Sequence, residues 1–192
     1  MCGILFTNQS VDRDTFENKL FMMYKRGPDS FKSVFANNYA IGQSLLSFRN
    51  MEEGKMMPFE FKAQNGEEWS LASNAEIYNQ HLIRNDIRYH WYNWKTKDND
   101  GEVIFPAMCS HGFNGPRELD GQFSFVLTNG KTYYIARDPY GITSLYYGFS
   151  ENGSIWVSSE LKCIHNEVKE VMHVPPGHVL HNQSGQFISY KY

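Results

Sequence analysis

Residues 122–136 read QFSFVLTNGKTYYIA, and this stretch decides the architecture. Strand patterns at 122–127 and 132–136 flank Asn129-Gly130. An Asn-Gly pair tolerates the positive backbone torsions that tight hairpins demand, so the two strands are predicted to run antiparallel. The same design recurs on both sides. Strand patterns at 145–149 and 154–158 flank Glu151-Asn152-Gly153, and those at 179–181 and 187–190 flank Ser184-Gly185. Strands that arrive as hairpins, with a few helices between, predict an α+β protein of stacked antiparallel sheets with helices outside.

The first half adds the helices. Residues 2–7 form a short apolar strand almost at the terminus. Phe16, Leu20, Met23 and Tyr24 are spaced for one helical face over 13–25, and Arg26-Gly27-Pro28-Asp29 breaks that helix. Short apolar segments follow at 33–36, 39–48 and 69–73. Residues 81–87, 102–113 and 160–165 are further helix candidates, while 88–99 mixes aromatics with charge and resists assignment.

Composition narrows the function classes. The 192 residues suit one domain over 1–192. They are 41% hydrophobic and 16% aromatic, enough for a real core. A net charge of −3 argues against bulk attraction to nucleic acid or anionic membranes. No apolar run approaches a membrane span, and the N-terminus lacks a basic signal-peptide region, so a cytoplasmic location is expected. Cys2, Cys109 and Cys163 form no metal-ligand spacing, and the seven histidines show none either. No metal or other cofactor is expected.

Several motifs in fixed order then become specific. They are Met1-Cys2-Gly3-Ile4, Arg26-Gly27-Pro28-Asp29, Asn74-Ala75-Glu76-Ile77-Tyr78-Asn79, and Asp100-Gly101-Glu102-Val103-Ile104. Downstream come Leu119-Asp120-Gly121-Gln122-Phe123, Arg137-Asp138-Pro139-Tyr140-Gly141, Ser158-Ser159-Glu160-Leu161-Lys162 and Pro175-Pro176-Gly177-His178. Nearly end to end, the chain resembles the glutaminase domain of asparagine synthetase, a class II glutamine amidotransferase. The resemblance implies a four-layer αββα sandwich of the N-terminal-nucleophile (Ntn) hydrolase type. It also implies hydrolysis of the side-chain amide of L-glutamine.

The implied nucleophile is Cys2, exposed by loss of Met1. A free thiol near pKa 8.5 is mostly protonated at neutral pH, and an α-amine of pKa about 7.7–8.0 on the same residue can serve as its base. While Met1 remains, that nitrogen is an amide with no useful basicity. The resemblance assigns the oxyanion donors to the Asn74 side chain and the Ala75 backbone N–H, where the family has Gly at 75. It assigns Glu76 and Asp100 to the α-amino group of glutamine, with Leu46 beside the substrate. Arg26 and Asp29 are expected to brace the loop near the nucleophile. Arg137 and Asp138 are expected to form an ion-paired corner. Tyr89, Trp91, Tyr92 and Trp94 read as packed core, or as an aromatic contact surface.

One position departs from the pattern. The family's carboxylate-gripping arginine corresponds here to Leu45, and Arg49 lies four residues on. Arg49 is the candidate to reach the carboxylate from a different angle, and three readings stay open: an active glutaminase subunit of a two-chain amidotransferase, an amidase of the same fold acting on a different amide, or an inactive binding or regulatory module. No phosphate-cradling glycine loop is present, so the expected partner is a separate ATP-dependent amidating protein that receives the ammonia.

Overall fold

Five residues near the start of the chain show how the layers arise. In the computed structural model, β1 (Gly3–Thr7) is buried along its whole length. Ile4 and Phe6 enter one core while Leu5 enters another. Successive side chains of a strand point to opposite faces, so a strand apolar on both sides needs a layer on each. The structure describes residues 1–47, 52, 57–182 and 184–190.

After β1 come α1 (Arg13–Phe21), β2 (Ser30–Ala36), β3 (Tyr39–Leu45), β4 (Phe59–Lys62), β5 (Glu68–Ile77) and α2 (Gln80–Asn85). The chain continues with α3 (Ile104–His111), β6 (Gly121–Thr128), β7 (Tyr133–Arg137), β8 (Tyr146–Phe149) and β9 (Ile155–Ser158). It closes with β10 (Met172–His173), β11 (His178–His181) and β12 (Phe187–Ser189). Among the described residues the strands make two six-stranded sheets, ordered β10-β8-β9-β1-β3-β2 and β12-β11-β7-β6-β5-β4. Their ladders are antiparallel.

Three cores separate four layers. Between the sheets lie Ile4, Phe6, Ile41, Val126, Ile135 and Val157. Outside the first sheet, Phe16 and Leu20 of α1 cover Leu5, Ala40 and Trp156. Outside the second, Ile104, Phe105 and Met108 of α3 cover Phe123, Phe125 and Leu127. Each fully buried side chain of this size contributes about 1.5–3 kcal/mol. The expected αββα sandwich forms, and Tyr89 and Tyr92 join the outer core of the second sheet, with Trp91 and Trp94 packed against it.

The three hairpins pair as expected, for example Phe125 opposite Ala136, Gly148 opposite Trp156 and Val179 opposite Ile188. Other boundaries moved. The helix expected over 13–25 ends at Phe21, and turns whose amides bond back three residues carry the chain from there to Arg26. The helix expected over 102–113 starts at Ile104, behind a 3-10 turn at Asp100–Val103. The segment 160–165 holds only a 3-10 turn, Leu161–Cys163. β4 and β10 were not anticipated. β5 runs four residues beyond its expected end at 73, because β6 offers it a full ladder as far as Ile77 opposite Gly121.

Candidate active site

The site is built where the start of β1 meets the far end of β5. Cys2 is half-buried and directly precedes β1. Its neighbour is packed closely: a Cβ on Gly3 would lie 2.5 Å from Ser44 Oγ and 2.8 Å from Met23 Sδ, so a larger residue there would have to displace both side chains. The Arg26-Gly27-Pro28-Asp29 turn is laid on the end of β3 in the same way, since a Cβ on Gly27 would lie 2.6 Å from Leu45 N. Asp29 N donates to Leu45 O at 2.9 Å, and Asp29 Oδ2 accepts from Ser47 N at 2.8 Å. From this anchored turn Arg26 Nε donates to Cys2 O at 3.1 Å and Nη1 donates to Ser144 Oγ at 3.1 Å. Ser144 Oγ in turn donates to Ser159 O at 2.9 Å. The bracing expected of Arg26 and Asp29 is therefore present in the geometry.

Cys2 N donates to Asn74 Oδ1 at 3.0 Å, across the two sheets. Cys2 Sγ lies 3.8 Å from Leu46 O. Burial pushes the Cys2 thiol above its ordinary value, while the N-terminal charge, the Gln43 amide and Arg26 act in the opposite direction. In this form the nitrogen is still capped by Met1, which is 61% exposed.

β5 supplies the remaining groups by alternation. Ala72 faces the core between the sheets and Leu71 faces the helical side. The side chains of Asn74 and Glu76 continue the inward row of Ala72, whereas Ala75 and Ile77 pack outward. Backbone groups alternate too. Tyr78 N donates to Asp120 O at 2.8 Å, so the even-numbered amides of this strand serve the ladder with β6. The odd-numbered amides turn to the opposite edge, beyond the end of β4. There Ser73 N donates to Gln43 Oε1 at 2.9 Å and Ile77 N donates to Asp100 Oδ2 at 2.6 Å. The Ala75 N–H lies between these two and is directed the same way.

Asn74 is 6% exposed, and among the described residues nothing accepts from its Nδ2. A buried amide donor without a partner is costly, typically by about 1–3 kcal/mol, and marks a place where a ligand oxygen would fit. Cys2, Leu46, Asn74, Ala75, Glu76 and Asp100 thus gather at one end of the sandwich. Arg49 lies outside the described residues. Leu45 is the last residue of β3 and is only 7% exposed.

The sequence reading missed Gln43. It is 2% exposed, and it joins β3 of one sheet to β5 of the other. A polar residue inside an apolar strand was the available signal. One expectation is corrected. Arg137 and Asp138 do not pair with each other; each turns mainly to backbone groups. Arg137 donates to the carbonyls of Thr143, Gly141 and Val174 at 2.6, 2.7 and 3.1 Å. Asp138 accepts from the amides of Tyr140, Ile142 and Thr143. Adjacent strand-end side chains diverge, and the 139–143 loop lies between them.

A cavity of about 370 Å³ opens elsewhere, lined by Trp69, Trp91, Met108, Cys109 and Tyr134 among others. It sits on the helical side of the second sheet, opposite the face that carries Asn74 and Glu76. Among the described residues no helix is long and apolar enough to cross a membrane.

Two antiparallel sheets between helical layers, with a cysteine at the head of an inner strand, define an Ntn-hydrolase fold. The glutamine amidotransferase domain family matches residues 1–176, and the chain belongs to that family. It is 38% identical over 96% of its length to asparagine synthetase [glutamine-hydrolyzing] 2 of Arabidopsis thaliana. It is 33% identical, again over 96%, to the asparagine synthetase [glutamine-hydrolyzing] of Brassica oleracea. In both cases it spans about a third (32%) of the relative's length. Among solved structures, the glutamine phosphoribosylpyrophosphate amidotransferase of B. subtilis superposes with a TM-score of 0.77 at 17% identity, covering 100% of this chain and 49% of that one.

Proposed function

We propose that this chain, once Met1 is removed, hydrolyses the side-chain amide of L-glutamine to glutamate and ammonia, with Cys2 as nucleophile. The observation that carries the reading is the pair formed by Cys2 N and Asn74 Oδ1 at 3.0 Å, which leaves Asn74 Nδ2 buried and, among the described residues, unpartnered beside the sulfur's own residue. The freed α-amine takes the thiol proton, and the thiolate attacks the amide carbon. The oxyanion is received by Asn74 Nδ2 and the Ala75 N–H. Such donors are preorganised here because one belongs to a buried side chain and the other to a strand edge. The α-ammonium returns its proton to the amide nitrogen of the tetrahedral intermediate, the C–N bond breaks to release ammonia, and water cleaves the resulting thioester. Glu76 and Asp100 receive the substrate's ammonium group, a charge-assisted contact. The ammonia passes to an ATP-dependent amidating partner of the asparagine-synthetase kind.

Removal of Met1 is testable by intact mass of protein from cells that use it. A thiol-reactive glutamine analogue should then label Cys2 stoichiometrically, and Cys2→Ala should abolish both labelling and ammonia release. Retained methionine in turning-over protein would sink the proposal.

A second reading is an altered-specificity or inactive amidase, favoured by Leu45, whose side chain is covered at the family's arginine position. Arg49 decides between them. If it grips the substrate carboxylate, Arg49→Ala raises KM for glutamine by about 10- to 150-fold, the loss of one charged hydrogen bond. Unchanged glutamine kinetics would remove Arg49 from the site.

A further inference from the structure

Glu102 is 0% exposed, and its carboxylate is the centre of a dense set of bonds. Oε1 accepts from Tyr92 Oη at 2.7 Å and from Lys95 N at 2.6 Å. Oε2 accepts from Thr96 N at 2.8 Å and from Thr96 Oγ1 at 2.6 Å. Arg84 Nη2 stands 3.6 Å from Oε2. A buried carboxylate is tolerated only when so compensated, and here the compensation comes from one piece of chain. Apart from Arg84, every donor lies in residues 92–96, within the 88–99 stretch whose sequence resists assignment.

Arg84 extends the same hold toward the site. It donates to Thr96 O at 2.9 Å and to Asn99 O at 2.8 Å, and it lies over the Trp94 ring at 4.5 Å. Asn99 Oδ1 accepts from Gly101 N at 3.1 Å and so caps the 3-10 turn. The residue between Asn99 and Gly101 is Asp100, whose Oδ2 meets Ile77 N of β5 at 2.6 Å. Gly101 itself packs against β5, where a Cβ would lie 2.7 Å from Ser73 Oγ. Asp100 is thereby held from both sides: by its own contact with β5, and by a chain that Glu102 and Arg84 fasten.

We infer that Glu102 is a positioning residue for the substrate's α-amino group, acting through Asp100 without touching the substrate. The inference rests on the reading of Asp100 as an ammonium-binding carboxylate. Replacing Glu102 by glutamine keeps the shape but sets an NH2 group against donors and removes the charge opposite Arg84. The effect belongs to binding of the amine and not to the chemistry at Cys2.

The test compares glutamine with glutaramate, the same amide without its α-amino group, on the Met1-free full chain. Glu102→Gln should lower kcat/KM for glutamine by about tenfold, part of the loss of one charged hydrogen bond, mainly through KM. It should leave kcat/KM for glutaramate unchanged. A merely structural role would lower both substrates together. Tyr92→Phe removes one donor from the same carboxylate and should shift the ratio in the same direction, so a Glu102→Gln protein that fails to fold still leaves the inference open to refutation. Equal losses for the two substrates, or no change in the ratio in a folded variant, would overturn it. Asp100→Asn is the reference. If that variant does not lose selectivity for the amine, the reading of Asp100 fails. If it does while the Glu102 and Tyr92 variants do not, only the role of Glu102 fails.

Discussion

Cys2 leads into a strand of one sheet and Asn74 lies in a strand of the other, yet the backbone nitrogen of Cys2 lies 3.0 Å from the side-chain oxygen of Asn74. The contact orients the Asn74 amide, because an oxygen committed to Cys2 N turns the NH2 group toward the unfilled side. On the proposed mechanism, Asn74→Ala should lower kcat by about 10²–10³-fold while KM for glutamine changes little. Steady-state ammonia release measures this. A kcat within tenfold of wild type would remove Asn74 from the oxyanion site.

Gly27 tests the seat of the loop that holds Cys2. A methyl group there would meet Leu45 N, Ser44 C and Leu45 C at 2.6–2.7 Å, and backbone atoms yield less readily than side chains. Gly27→Ala should cost about 1–3 kcal/mol, read as a lower urea midpoint with an unchanged slope. A midpoint equal to wild type would show that the turn can lift off β3 without loss.

His181 gives the fold a pH dependence. It is 5% exposed, stacked on Tyr134 at 4.7 Å and edge-on to Phe113 at 5.0 Å. Burial holds its pKa below the ordinary 6.5. The unfolded chain therefore takes up the proton first as pH falls. The contribution is fully present above pH 6.5 and is lost as pH drops through the lower folded value. Urea midpoints measured from pH 7.5 down to 5.5 should fall in wild type and fall less in His181→Phe. Parallel curves would assign the acid sensitivity elsewhere.

How much of this was legible in the sequence depends on where each element draws its stability. The hairpins were readable because Asn129-Gly130, Asn152-Gly153 and Ser184-Gly185 encode their turns locally. β5 was read short because Asn74, Ala75 and Glu76 have weak strand preference, and their strand exists only through pairing with Phe123 and Gln122. β4 carries a real signal, Phe59 and Phe61 buried between exposed Glu60 and Lys62, but only four residues of it. Residues 88–99 could not be assigned because much of their shape comes from Glu102 and Arg84, outside the segment.

The candidate site divides in the same way. Cys2, Asn74, Ala75, Glu76 and Asp100 were legible through motif order, and the structure gathers them. Gln43 and Glu102 were not singled out: a polar residue inside an apolar strand hints that Gln43 is sealed in, but nothing in a linear pattern names the distant partner, β5 for Gln43 and residues 92–96 for Glu102. Leu45 stands where the resemblance places an arginine. The structure adds that its side chain is covered rather than facing an open pocket.

Arg26 grips residue 2 by its carbonyl, and Gly3 is wedged against Ser44 and Met23, so every one of these restraints falls downstream of the bond that joins Met1 to the rest. Under the proposed scheme, clipping that bond is a subtraction from a finished tool: no strand moves, and a single amide becomes an amine. The moment of first turnover would then be scheduled by the peptidase that removes Met1.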